Sequence, residues 1–128
     1  MNDITNHTYL NDIFAQYLGI ELVEAGRGHC KVCLPLKKHF LNAANVVHGG
    51  VIFALADVAF AIASNSHGKL ALAINAHISF LKSKSDGTLY AEAKEINEPH
   101  RLGAYDVLVE DEEGEVIAKF SGMVYRKK

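Results

Sequence analysis

His48-Gly49-Gly50-Val51-Ile52-Phe53-Ala54-Leu55-Ala56-Asp57-Val58-Ala59-Phe60-Ala61-Ile62-Ala63-Ser64-Asn65-Ser66-His67-Gly68 is the stretch that decides the fold. From Val51 to Ala63 every position except Asp57 is apolar. The run is shorter than the roughly 20 residues that a membrane-spanning helix needs. It therefore reads as a core helix, apolar all round and buried on all sides. A glycine pair opens it, and it runs to Asn65 or Ser66 before stopping at Gly68. In a chain of 128 residues only an enclosing sheet can bury such a helix.

The flanking sequence supplies that sheet. Asn11 to Leu18 has Ile13, Phe14, Tyr17 and Leu18 at helical spacing and is closed by Gly19. Ile20 to Glu24 and Gly28 to Leu36 read as strands around a turn at residues 26–28, followed by a loop from Lys37 to Val47. After the helix come four strand-like runs, Leu70 to Lys82, Thr88 to Ile96, Gly103 to Glu110 and Val116 to Tyr125. The segments SKSDG, NEPHR and DEEGE between them carry turn chemistry. The expected architecture is α+β, a long curved antiparallel sheet wrapped around one central helix, in a single domain over residues 1–128.

Composition bounds the function. A formal charge of −2 and 49% apolar residues exclude a disordered chain and give no electrostatic reason to expect nucleic acid. No secretory signal and no membrane span is visible, which favours a cytoplasmic protein. Cys30 and Cys33 are three apart in a strand pattern, so their thiols point to opposite faces and do not converge on a metal. His29, His39, His67, His77 and His100 lack ligand spacing and read as surface or turn residues. No metal or cofactor is expected. Arg126, Lys127 and Lys128 read as a solvated tail.

Asp57 is the anomaly. Its helical neighbours Phe53, Ala54, Phe60 and Ala61 cannot pair with it, and an unpartnered carboxylate in such a helix is costly unless it has a function. At the helix entrance, Gly49 and Gly50 present backbone N–H groups at a positive helix end, with no Cβ to hinder an oxyanion. Gly49 and Asp57 lie eight residues apart, about 12 Å along the axis. If both act on one carbon, they come from two copies of the chain related by a two-fold axis.

The run from Asn42 through His48-Gly49-Gly50, Phe53, Asp57 and Phe60 to Asn65-Ser66 and Gly68 resembles the hotdog-fold acyl-CoA thioesterases of the PaaI-like (phenylacetic acid degradation) type. Asn75 to Lys82 and Gly103 to Asp106 also agree with that family's strand pattern. The resemblance implies hydrolysis of acyl-CoA in a homodimer as the minimal active unit, usually assembled as a homotetramer. It implies that the Gly49 N–H polarises the thioester carbonyl and that Asp57 activates water or attacks directly. Asn42 would hold the water or the thioester, and His48 would brace the helix start. Where many members of the wider superfamily carry a hydroxyl one turn after the acid, this chain has Ala61, with Ser64 a further turn along. Gly50, Phe53, Phe60 and Ser64 are expected at the substrate, with an aryl or medium-chain acyl group in the pocket. Lys82, Lys84 and Arg101 are candidates for the CoA phosphates, although a solvated strand edge accounts for lysines there as well.

Two other functional classes fit a chain of this kind. An enoyl-CoA hydratase or dehydratase is disfavoured because Leu41-Asn42 follows His39-Phe40 where a dehydratase motif has Pro-Gly. A non-catalytic acyl-CoA-binding module would need no acid in the central helix.

Overall fold

The computed structural model describes residues 11–97 and 100–127. A short helix, α1 (Ile13–Leu18), is capped by the Asp12 carboxylate, which accepts a hydrogen bond from the Ala15 N–H at 2.9 Å, and ends on Gly19 at φ +88°. Strands β1 (Glu21–Gly26) and β2 (His29–Pro35) follow as a hairpin, and a 3-10 turn (Lys38–Phe40) interrupts the expected loop. The central helix α2 spans Gly49–Ser64, and β3 (Ala71–Phe80), β4 (Thr88–Glu95), β5 (Leu102–Asp111) and β6 (Val116–Arg126) complete the chain.

The six strands form one antiparallel sheet in the order β1-β2-β4-β5-β6-β3, and α2 packs against every one of its strands. This is the expected hotdog arrangement. Alternation sets the faces: Cys30, Val32 and Leu34 on β2, Leu89, Ala91 and Ala93 on β4, and Tyr105, Val107 and Val109 on β5 are all buried against α2. Cys30 and Cys33 are free thiols on opposite faces of β2. Burial pushes the Cys30 thiol up to about 12, so it stays protonated and inert.

Two expectations, on the enclosure of the central helix and on Arg126, need correction. The central helix is not enclosed on all sides: Phe53, Asp57 and Ala61, one turn apart, remain half-open beside the exposed Gly50. Apolar character alone cannot distinguish a stripe meant for this chain's sheet from one meant for a second chain. In α1 only Ala15 and Leu18 are buried, while Ile13, Phe14 and Tyr17 stay exposed. Arg126 is no tail residue but lies buried, 5% exposed, at the end of β6. The Asn65 side chain closes the helix by donating to the Ala61 carbonyl (2.9 Å) and accepting from the Ala71 N–H (3.0 Å), which ties the helix end to the start of β3.

Candidate active site

The loop before α2 is held from both sides. Asn42 Oδ1 accepts from the Ala44 N–H at 2.9 Å and the Val46 N–H at 3.4 Å. The His48 N–H donates to the Phe40 carbonyl and the Val47 N–H to the Lys84 carbonyl, both at 2.8 Å. His48 is the N-cap: its Nδ1 accepts from the Gly50 N–H at 3.2 Å, and its carbonyl accepts from Val51 and Ile52. Of the two glycine donors expected at this entrance, Gly50 is therefore engaged by His48. The Gly49 N–H has no acceptor among the described residues and is the donor left for an incoming oxygen. A Cβ on Gly49 would sit 3.2 Å from the Phe80 ring, so the glycine also makes room for that ring.

Asp57 occupies the half-open stripe of α2, two turns along. Burial raises its pKa above the ordinary carboxylate value of 3.8, and the nearby charge of Asp12 at the cap of α1 raises it further. Asp12 was invisible as a neighbour in the sequence, 45 positions away, because α1 reaches it only through the fold. Gly49 and Asp57 belong to the same helix, so about 12 Å of axial rise separates them. Next to Gly49 lies a cavity of about 350 Å³, bordered by Val46, Val47, Ile52, Phe80, Leu81 and Lys82. Its walls are mainly apolar, and the loop and β3 residues among them carried no sequence signal of their own.

A glycine-opened helix with one free N–H, a single carboxylate with a raised pKa and an adjoining apolar cavity can polarise a carbonyl and activate a nucleophile. The family model of the thioesterase superfamily matches residues 44–118, which span most of this loop, the helix, β3 to β5 and the start of β6. The chain belongs to the thioesterase superfamily. The acyl-coenzyme A thioesterase PaaI of Escherichia coli is 35% identical over 119 residues, 92% of this chain and 85% of that one. The solved structure of that PaaI protein superposes with a TM-score of 0.93 and covers 98% of this chain and 91% of its own. A mutant structure of the phenylacetic acid degradation protein PaaI from Thermus thermophilus gives 0.86 at 32% identity, covering 91% of this chain and all of its own. This thioesterase is thus a PaaI-like hotdog protein and a thioester hydrolase.

The remaining expected site residues divide in two. Phe53 lies on the open stripe, with its ring 5.5 Å from that of Phe120. Phe60 does not line the cavity: it is 1% exposed, packed against Tyr105 and Phe120 in the core of the thioesterase. Ser64 is buried at the far end of the helix, its hydroxyl donating to the Ala61 carbonyl, and does not reach Asp57's turn. Lys82 borders the cavity and pairs with Glu115 at 2.5 Å. Lys84 is held by Glu112 (2.8 Å) and Asp111 (3.3 Å), contacts that raise its pKa and lower that of Glu112, while Asp111 is lowered first by the Glu115 and Glu113 N–H groups it accepts from and then by Lys84. Arg101 sits apart from both lysines, over the Tyr125 ring near the end of β6. The histidines are also less scattered than the sequence suggests. His29 meets Glu92 and Glu24 on the outer face of the sheet, and the His67 side chain is only 6% exposed beside Glu95. Among the described residues no helix is long and apolar enough to cross a membrane.

Proposed function

We propose that this thioesterase hydrolyses acyl-CoA, with the Gly49 N–H of one protomer and Asp57 of the partner subunit acting on the same thioester. The observation that carries this reading is the division of labour at the helix entrance. His48 occupies the Gly50 N–H and leaves the Gly49 N–H free at the positive end of α2. Bound there, the carbonyl oxygen gains charge as the carbon becomes tetrahedral, and the helix end stabilises that charge. Asp57, ionised but raised in basicity by burial, takes a proton from water or adds directly to the carbon. By the first route the hydroxide adds to the carbon, the C–S bond breaks and the thiolate takes the proton held by Asp57, leaving free acid and CoA thiol. By the second the C–S bond breaks to give a mixed anhydride and CoA thiolate, and water then hydrolyses the anhydride to free acid and the regenerated Asp57 carboxylate. Asn42, whose oxygen is spent on the loop, keeps its NH₂ group to hold the water or the thioester.

The axial separation of Gly49 and Asp57 supports a homodimer as the minimal active unit, and the open stripe of α2 supports a helix of the partner lying alongside it. The exposed apolar residues of β3, Leu72, Ile74 and Phe80, supply further surface for that contact and for a tetramer. The apolar cavity beside Gly49 suits an aryl or medium-chain acyl group, and the cytoplasm, where acyl-CoA is made, is the compartment. A free-thiol assay on a panel of acyl-CoA thioesters tests the reading. Released CoA is expected with at least one aryl or medium-chain substrate, and Asp57→Ala should abolish it while the oligomer persists in gel filtration. Unchanged turnover in Asp57→Ala overturns the assignment.

A further inference from the structure

The end of α2 opposite Gly49 carries a cluster that thioester hydrolysis does not use. Sixteen residues of helix, about 24 Å, separate the two ends. There the β1–β2 turn, the segment after α2, the β4–β5 connection and the end of β6 meet around a cavity of about 400 Å³. Arg27, His67, Lys69, Arg101, Arg126 and Lys127 border it.

Its floor is a buried network. Glu95 accepts from Arg126 Nη2 (2.7 Å) and the Tyr105 hydroxyl (2.8 Å) on one oxygen and meets His67 Nε2 (2.9 Å) with the other. Two glycines clear the space for it. A Cβ on Gly103 would lie 2.7 Å from Arg126 Nη2, and one on Gly28 would lie 2.8 Å from Glu95 Oε1. Glu95 balances one of the five Arg and Lys charges, and no carboxylate among the described residues forms an ion pair with Arg27, Lys69, Arg101 or Lys127. Among the described residues, two nitrogens in the floor lack a partner, His67 Nδ1 and Arg126 Nε, on side chains 6% and 5% exposed. Buried polar atoms in native proteins are nearly always satisfied, so the two orphans point to a missing partner: Arg126 Nε lacks an acceptor, and His67 Nδ1, on a ring whose Nε2 donates to Glu95, lacks a donor when the ring is neutral.

We propose that this cavity is a binding site for a phosphate group, separate from the thioester site. A phosphate offers several oxygens and, when singly protonated, one O–H, so it can accept from Arg126 Nε and donate to His67 Nδ1 while the rim cations neutralise the charge. His67 then donates from Nε2 to Glu95 and accepts at Nδ1 from the phosphate O–H. A carboxylate, with one charge and two oxygens, would leave most of the surplus cations uncompensated. The chemistry is shared by a free phosphate or pyrophosphate and by the phosphomonoester of a nucleotide such as the one in CoA.

Calorimetric titration of the intact protein with inorganic phosphate, pyrophosphate and adenosine 3′,5′-bisphosphate, at constant ionic strength, tests the site. Saturable binding of at least one of them is expected, one per chain, and weakened about tenfold or more in the exposed rim variant Arg27→Glu/Lys69→Glu. The variant Lys94→Glu/Lys119→Glu makes the same change in net charge elsewhere and should bind as the parent does. Loss of binding in both variants, or saturable binding of none of the three probes, overturns the proposal. A second arm identifies the source and rests on the acyl-CoA reading, whereas the titration does not. With a nucleotide ligand, the bisphosphate competes with acyl-CoA, and the rim variant raises KM at unchanged kcat. With a free phosphate, binding persists under saturating acyl-CoA and KM is unchanged.

Discussion

At the scale of single residues the molecule separates two tasks that the sequence places side by side. His48 and Gly50 close the helix start on themselves, and that contact is what frees Gly49. Asp57 is tuned from outside its own helix. Its pKa is raised first by burial and then by Asp12, whose carboxylate caps α1. An activity that requires ionised Asp57 rises with pH through that raised value, so its acid limb is displaced upward from the ordinary position for an aspartate. Removing the Asp12 charge lowers the pKa and extends activity to more acid pH. Asp12→Asn keeps a good N-cap side chain and should move the acid limb of kcat/KM to lower pH with an unchanged plateau. A limb that stays in place in the pH profile would show that Asp12 does not act on the ionisation that controls turnover.

At the scale of elements, much of the fold was legible because strand alternation and turn chemistry are local. The faces of β2 and β5 follow from period two, and Gly19 closes α1 where the pattern places it. What escaped is set by contacts far apart in the chain. Phe53 and Phe60 are seven residues apart and share nearly one helical face, and both rings lie against Phe120, at 5.5 and 5.4 Å. Only Phe60 is enclosed, because β5 supplies Tyr105 over it and β6 has a glycine opposite its ring. Arg126, read as a tail, is drawn into the core by Glu95 and Tyr105, 31 and 21 positions away. The Gly122 contact gives a test of this packing. A Cβ there would lie 2.8 Å from Phe60 Cζ and 3.0 Å from Cε2. Gly122→Ala should cost ~1–3 kcal/mol of stability in urea unfolding, as overpacking does. Phe60→Leu in the same chain should recover part of that loss, because the two substitutions act on one contact. Simple additivity of the two effects would mean that the backbone, not the ring, absorbs the new methyl group.

At the scale of the whole molecule, apolar residues left exposed by the monomer include Leu72, Ile74 and Phe80 on β3 and Ile13, Phe14 and Tyr17 on α1, others lie on β1, β5 and β6, and one stripe of α2 stays half-open. β3 is an edge strand, paired only with β6, and exposes Leu72, Ile74 and Phe80. An edge of this kind invites pairing unless something covers it. The stripe of α2 contains Asp57, so a partner covering that stripe also completes the site, and the assembly becomes testable through catalysis. In the proposed arrangement each active site draws Gly49 from one protomer and Asp57 from the other. Two inactive variants, Asp57→Ala and Gly49→Val, should therefore rescue each other when unfolded and refolded together. In a mixed dimer one site receives both defects and the other receives neither. Random pairing makes about half the dimers mixed, each with one intact site of two, so recovered turnover should approach about a quarter of the parent value. Gly49→Val meets the Phe80 ring as well as blocking the donor, so each variant is first checked by gel filtration for an intact dimer. If both residues served a site within one protomer, every site in the mixture would carry one defect, and the mixed sample would stay as inactive as its components.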